Sequence, residues 1–225
     1  MNKATRASVS TFGALAGLMG IEHGIGEVLQ GNAAPPARVI SSWPGSEFFA
    51  ILNGEPAMTV VPNLLVTGIL AILFSLIFLW LAFKVPGKHP GLLLLLASAA
   101  MLLSGGGFGP PLLGVVVAAT ASRLRAPFPW LRAHRSAGLG RLLGGLSPWL
   151  FAGSLACWLG LFPGSVLLDH FVGVRDPEMV VFGLLGAAFG LWLLSIVAGF
   201  ARDAQQHREA APRAGSWQPI ASPER

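Results

Sequence analysis

An all-α membrane bundle is the fold class this sequence predicts, and three observations predict it. Apolar residues make up 53% of the 225-residue chain and charged residues only 11%, against about 25% charged in an ordinary soluble domain. The apolar residues gather in runs long enough to cross a bilayer; Met58 to Phe83 holds no charge at all. The basic residues fall outside those runs, among them Lys3, Arg6, Lys84, Lys88 and Arg123 to Arg141. There they set orientation against the bilayer, so the net charge of +5 implies no nucleic-acid partner. One cysteine, Cys157, rules out a disulfide within the chain and reads as a small packing residue.

The first apolar run, residues 8–30, follows Lys3 and Arg6. A signal peptide with Ala33 and Ala34 near its cleavage site is one reading. A signal core is an uninterrupted apolar run of about 7–15 residues; this one is longer, glycine-rich and broken by charge, so it reads as an uncleaved first span. Residues 31–57 are loop-like, with Pro35, Pro36, Pro44, Gly45, Gly54 and Pro56. Within them, residues 46–53 could form a short helix on the membrane surface, with Trp43 at the headgroups. The second span is Met58 to Phe83, with Pro62 in its first turn, where a missing N–H costs little.

Residues 91–122 are too long for one straight crossing. As a single helix they would extend about 48 Å at 1.5 Å per residue, against a hydrocarbon core of about 30 Å. Their middle, GGGFGPP (105–111), breaks helices through glycine entropy and proline sterics. The segment is therefore either one broken span or a hairpin of two short helices. Downstream, Ser147-Pro148 reads as a helix start, Pro163 as a kink, and Asp176-Pro177-Glu178 as a second start. The last span covers Met179 to Phe200. Residues 1–201 thus form one transmembrane domain, and 202–225 a polar tail whose composition predicts disorder.

Charge bias chooses between the two readings of 91–122. The N-terminus, the loop with Lys84 and Lys88, and the arginine-rich loop 123–147 all belong inside. An even number of crossings between the last two keeps both there. The sequence therefore favours six membrane segments with both termini cytoplasmic; the alternative is five spans with a broken third helix. Abundant glycine and alanine, arginine in preference to lysine, and the lack of tyrosine fit a high-GC bacterial coding bias, and the expected address is a prokaryotic plasma membrane.

The best pointer to function is a set of ionisable residues inside the first span: Glu22, His23 and Glu27. Insertion of an acid or base near the centre of a span costs roughly 2.5–3.5 kcal/mol, while each leucine returns only about 0.3–0.6. Such groups need partners, water or neutralisation. On a helical wheel His23, Glu27 and Gln30 share one stripe, with Glu22 about 100° from His23. Gly13, Gly17, Gly20 and Gly24 form the adjacent stripe, suited to close approach of another helix. By the assigned orientation the cluster lies in the outer half of the membrane, where Asn63, Asp169 and His170 could converge on it.

Three readings stay open at this stage. The cluster is a proton or ion pathway, a metal site built from His23, Glu27, Asp169 and His170, or a polar knot that fixes helix packing. Imidazole and carboxylate suit zinc, iron or manganese; no cofactor beyond a metal ion is implied. GGGFGPP could expose backbone to ions at membrane depth or simply make a tight turn. Gly186 and Gly190 read as a helix-packing contact.

Several chemistries have no motif here. HExxH, HxxEH, GxSxG, CxxCH, CxxC and GxxxxGK[ST] are all missing, so the chain cannot be an ATP-driven pump by itself. His89, His134 and His207 fall in basic loops or the tail, and the arginine-rich loop with Phe128 and Trp130 suits anionic headgroups.

The strings GIEHGIGE, GEPAMTVVPNLLVTGILAI and GGGFGPPLLG resemble a family of short bacterial and archaeal membrane proteins, over about the first 120 residues. That resemblance implies a multi-pass membrane fold and no activity. The expectation is a small transporter-like or permease-like protein with a polar site at Glu22, His23 and Glu27. A membrane metalloenzyme or redox component, and a scaffold for a partner subunit or for a homo-oligomer, are the alternatives.

Overall fold

The computed structural model describes residues 2–85, 87–125 and 137–210. They form an all-α bundle with a small β-hairpin at one end. In chain order the elements are α1 (Lys3–Leu29), β1 (Val39–Ser41), β2 (Pro56–Met58), α2 (Leu64–Lys84), α3 (Pro90–Leu103), α4 (Gly109–Ala121), α5 (Ala137–Leu159), α6 (Ser165–Val172) and α7 (Pro177–Ala210).

Among the described residues, three helical stretches are long and apolar enough to cross a membrane: Leu64–Lys84, Gly138–Val172 and Pro177–Gln206. The outward faces of α2 and α3 are apolar too, with Ile69, Leu73, Leu76, Trp80, Leu92 and Leu96 exposed. An exterior of that kind suits lipid rather than water, and the chain is compatible with an integral membrane protein. Helix α1 has 27 residues but is not in that set; Glu22, His23 and Glu27 lower its hydropathy.

Local chemistry explains most helix boundaries. Asn63 Oδ1 accepts from the Val66 N–H at 3.1 Å and caps α2. Met58–Pro62 therefore precede the helix, and Met58 belongs to β2 instead of the second span. Asp176 Oδ1 accepts from the Met179 N–H at 3.0 Å, the helix start that Asp176-Pro177-Glu178 implied. The Ser147-Pro148 start does not form. Helix α5 already runs from Ala137 through Pro148, and Gly144, whose carbonyl loses its donor at Pro148, packs beside the Gln205 amide. Pro163 does break its helix: Phe162 before it is extended (φ −145°, ψ 124°), separating α5 from α6.

The glycine stripe of α1 packs on α2 as its spacing implied. Gly13 lies against Ala82, Gly17 against Ser75 and Leu79, and Gly24 against Gly68, Ala71 and Ile72. Residues 91–122 are a hairpin: Gly91 at the start of α3 lies beside Ala118 and Ser122 at the end of α4, and Ser98 Oγ donates to the Pro111 carbonyl at 2.6 Å. The hairpin packs against α1 and α2. Helices α5 and α7 pack along each other through Trp158, Phe189 and Trp192. Phe12 of α1 joins them, 5.0 Å from the Trp192 ring and 5.5 Å from Phe151.

Three expectations need correction. Residues 46–53 do not form a surface helix; they supply one 3-10 turn, Ala50–Leu52, with Phe49 and Ile51 buried against Val166. The polar tail expected from Arg202 is helical as far as Ala210, because Asp203 is buried against the N-terminus of α1; residues 211–225 lie outside the described ones. Among the described residues, Gly186 and Gly190 contact no other helix, since a Cβ on either would meet open space. Arg132, His134 and Arg135 also fall outside the described residues.

Candidate functional site

The site lies at the end of the bundle where the C-terminal half of α1, the β-hairpin and the α3–α4 turn meet. The C-terminal half of α1 supplies Glu22, His23 and Glu27. The chain then folds back as the β-hairpin, with Val39 opposite Met58 and Ser41 opposite Pro56. Beyond β2 the strand continues onto the α3–α4 turn. Gly105 N donates to the Met58 carbonyl at 2.9 Å and Val60 N to the Leu103 carbonyl at 3.0 Å. The GGGFGPP turn is thus held down over α1 by the hairpin.

Glycine makes this approach possible. A Cβ on Gly105 would strike the Glu27 carboxylate, and one on Gly107 the His23 ring. Both have positive φ, +90° and +76°, which glycine adopts without a steric penalty. Gly26 of α1 likewise lets the Ser42 carbonyl and the Trp43 ring press onto the helix.

Four side chains form a continuous polar chain. His23 Nε2 lies 2.9 Å from Glu55 Oε2. His23 Nδ1 lies 2.9 Å from Ser42 Oγ. Ser42 Oγ donates to Glu27 Oε1 at 3.4 Å. His23, Ser42, Glu27 and Glu55 are all buried, Ser42 and Glu27 completely. Among the described residues, Glu27 Oε2 has no hydrogen-bond partner. Glu22, half-buried, accepts from the Trp43 indole N–H, so Trp43 is tied to the site.

Glu55 reaches His23 through an unusual backbone. Asn53, Gly54 and Glu55 all have positive φ, at 54°, 69° and 58°. For Glu55 that conformation costs roughly 1–2 kcal/mol, and strain of this kind persists where surrounding contacts over-determine it. Here Ser42 N–H donates to the Glu55 carbonyl and Trp43 N–H to the Gly54 carbonyl, each at 3.0 Å. Glu55 and Ser42 were not singled out from the sequence. The Asn53-Gly54 dipeptide, a strong turn signal, marks where the chain doubles back towards α1.

Of the remaining candidates, Gln30 braces the hairpin, while Asn63, Asp169 and His170 make their contacts elsewhere and do not converge on the cluster. Gln30 Nε2 donates to the carbonyls of Ser41 (3.1 Å) and Ser42 (3.0 Å), which ties the hairpin to the end of α1. Asn63 caps α2 and donates to Asn32 Oδ1. Asp169 Oδ1 accepts from the Val174 N–H at 3.0 Å, and His170 packs its exposed ring on Phe48 and Phe171. Among the described residues, the histidine and acids whose ligand atoms lie within 4.8 Å of one another are Glu22, His23 and Glu55. That set holds none of Glu27, Asp169 and His170.

Counting hydrogens shows what the arrangement can do. With Ser42 donating to Glu27, Nδ1–H of a neutral His23 donates to Ser42, and Nε2 turns its lone pair towards the Glu55 carboxylate. Two lone pairs cannot face each other at 2.9 Å unless a proton or a metal ion lies between them. The carboxylate–imidazole–hydroxyl order also occurs in acyl-transfer triads. Ser42 Oγ, however, is fully buried and engaged by Glu27, so it orients His23 and offers no nucleophile.

Comparison with protein-family models, with curated proteins and with solved structures finds no match to this chain.

Proposed function

We propose that the chain is a small transporter-like or permease-like integral membrane protein of a prokaryotic plasma membrane, both termini cytoplasmic, with a buried cation site facing the outer side. One observation carries this reading. Three carboxylates and one imidazole are gathered around α1, and among the described residues no lysine or arginine forms an ion pair with them. One histidine, paired with Glu55, stands against three acids, and buried acids in excess of their basic partners are costly. A proton or a metal cation offsets that cost, and a site built to hold one is suited to passing it on. The helical hairpin supports the same reading, because its broken middle brings backbone and not side chain against Glu27 and His23, as broken helices do at ion sites.

Flux measurements test it. Purified protein in liposomes should carry protons or a divalent cation, read with a pH-sensitive or metal-sensitive dye trapped inside. Glu27→Gln should abolish that flux while circular dichroism and unfolding temperature stay native. A folded wild-type protein that moves neither overturns the proposal.

A further inference from the structure

We infer that Glu22, His23 and Glu55 form a binding site for a first-row divalent cation of the Zn2+ class, with Ser42 and Glu27 as its outer support. The inference rests on the cation-site reading above and names the occupant.

The donor set fits in number and type. Imidazole nitrogen and carboxylate oxygen both ligate zinc, and zinc sites that keep a water or substrate use three protein ligands with the fourth position open. Zinc bonds of about 2.0–2.2 Å place neighbouring ligand atoms roughly 3.4 Å apart in a tetrahedron. The ligand atoms here begin at 2.9 Å for His23 Nε2 and Glu55 Oε2 and stay within 4.8 Å across the trio. Shifts of about an ångström would bring them to that spacing. Trp43 holds one oxygen of Glu22, which leaves the other to ligate. Glu22 is half-buried while its companions are buried, so the trio reaches the surface through Glu22.

The outer support points the same way. A metal-ligating histidine usually donates its other ring N–H to an oxygen that is itself anchored. His23 Nδ1 meets Ser42 Oγ, and Ser42 donates to Glu27. A cation on Nε2 fills the position left without a hydrogen between His23 and Glu55. Glu27 is the second, independent sign. It is 0% exposed with Oε2 unpartnered among the described residues, and Ser42 joins it to the histidine that would hold the cation.

Metal binding by detergent-purified, chelator-stripped protein decides the matter. Wild type dialysed against Zn2+ should retain one zinc per chain by elemental analysis, and Co2+ should give the visible absorption of a tetrahedral site. His23→Gln and Glu55→Gln should each weaken Zn2+ binding at least 100-fold, and Ser42→Ala about 10–100-fold, with the unfolding temperature of each apo-variant near that of apo wild type. If His23→Gln does not fold, Glu55→Gln, in the loop, still decides. A folded wild type that retains no Zn2+, Mn2+ or Fe2+ overturns the inference, as does zinc binding that survives both substitutions. Failure here is distinct from failure of the transport reading. Proton flux without bound metal overturns the metal site alone; one bound zinc without any flux overturns transport and leaves the site standing.

Discussion

Asp203 Oδ2 accepts from both the hydroxyl of Thr5, at 2.6 Å, and its backbone N–H, at 2.9 Å. Asp203 Oδ1 accepts from the Ala4 N–H at 2.9 Å. An acid on α7, near the end of the described chain, thereby caps the first turn of α1. The residue in the N-cap position, Asn2, makes no side-chain cap bond of its own; its amide donates to the Arg123 carbonyl instead, at 3.0 Å. A carboxylate suits that place because the first N–H groups of a helix are unpaired and carry the positive end of its dipole.

Asp203→Ala should therefore destabilise the protein by about 2–4 kcal/mol. It removes three hydrogen bonds to a charged acceptor and leaves the Thr5 hydroxyl, 1% exposed, without that partner. Asp203→Asn keeps one acceptor oxygen and should lose roughly half as much. Thermal unfolding in detergent, followed by circular dichroism, reads both. Equal midpoints for wild type and Asp203→Ala would remove this clasp from the account.

The glycines divide into two groups whose alanine variants should move stability in opposite directions. A Cβ on Gly24 would lie 2.8 Å from the Gly68 carbonyl oxygen and 2.7 Å from Ile72. Backbone cannot yield there cheaply, so Gly24→Ala should cost about 1–3 kcal/mol by overpacking. Gly186 meets nothing among the described residues, so Gly186→Ala should stabilise α7 by roughly 0.5–1 kcal/mol through backbone entropy. The same unfolding assay compares them. A large loss in Gly186→Ala, with a change of mass by light scattering, would instead reveal a second chain on that face.

What could be read from the sequence followed from periodicity and charge. His23 and Glu27 at i and i+4 had to share a face, and the glycine stripe beside them had to be a contact, because both follow from 3.6 residues per turn. The α3–α4 hairpin followed from basic loops on one side of 91–122. Glu55 was hidden because its place depends on three successive positive-φ residues and on the pairing of β1 with β2, neither of which leaves an apolar period. Ser42 was hidden for the same reason: a serine in a proline-rich loop carries no sign that a helix lies against it. The Asp203 clasp spans 198 residues of separation, and nothing local distinguishes that acid from its polar neighbours.

The hairpin turn offers the sharpest test of how the site is covered. Three glycines have similar positive φ: Gly87 at 78°, Gly107 at 76° and Gly105 at 90°. Alanine at any of them pays the left-handed backbone penalty, roughly 1–2 kcal/mol. At Gly87 that is the whole cost, since a Cβ there would meet nothing within 4 Å. At Gly105 and Gly107 the methyl would also collide with the Glu27 carboxylate and the His23 ring. Unfolding free energies should therefore fall by about 1–2 kcal/mol for Gly87→Ala and by at least about 2 kcal/mol more for the other two. Hydrogen exchange should localise the added loss to residues 22–27 and 103–107, the two segments that would have to part. Equal losses for all three variants would mean that the turn does not press on α1, and the cover over His23 and Glu27 would have to be assigned to the β-hairpin alone.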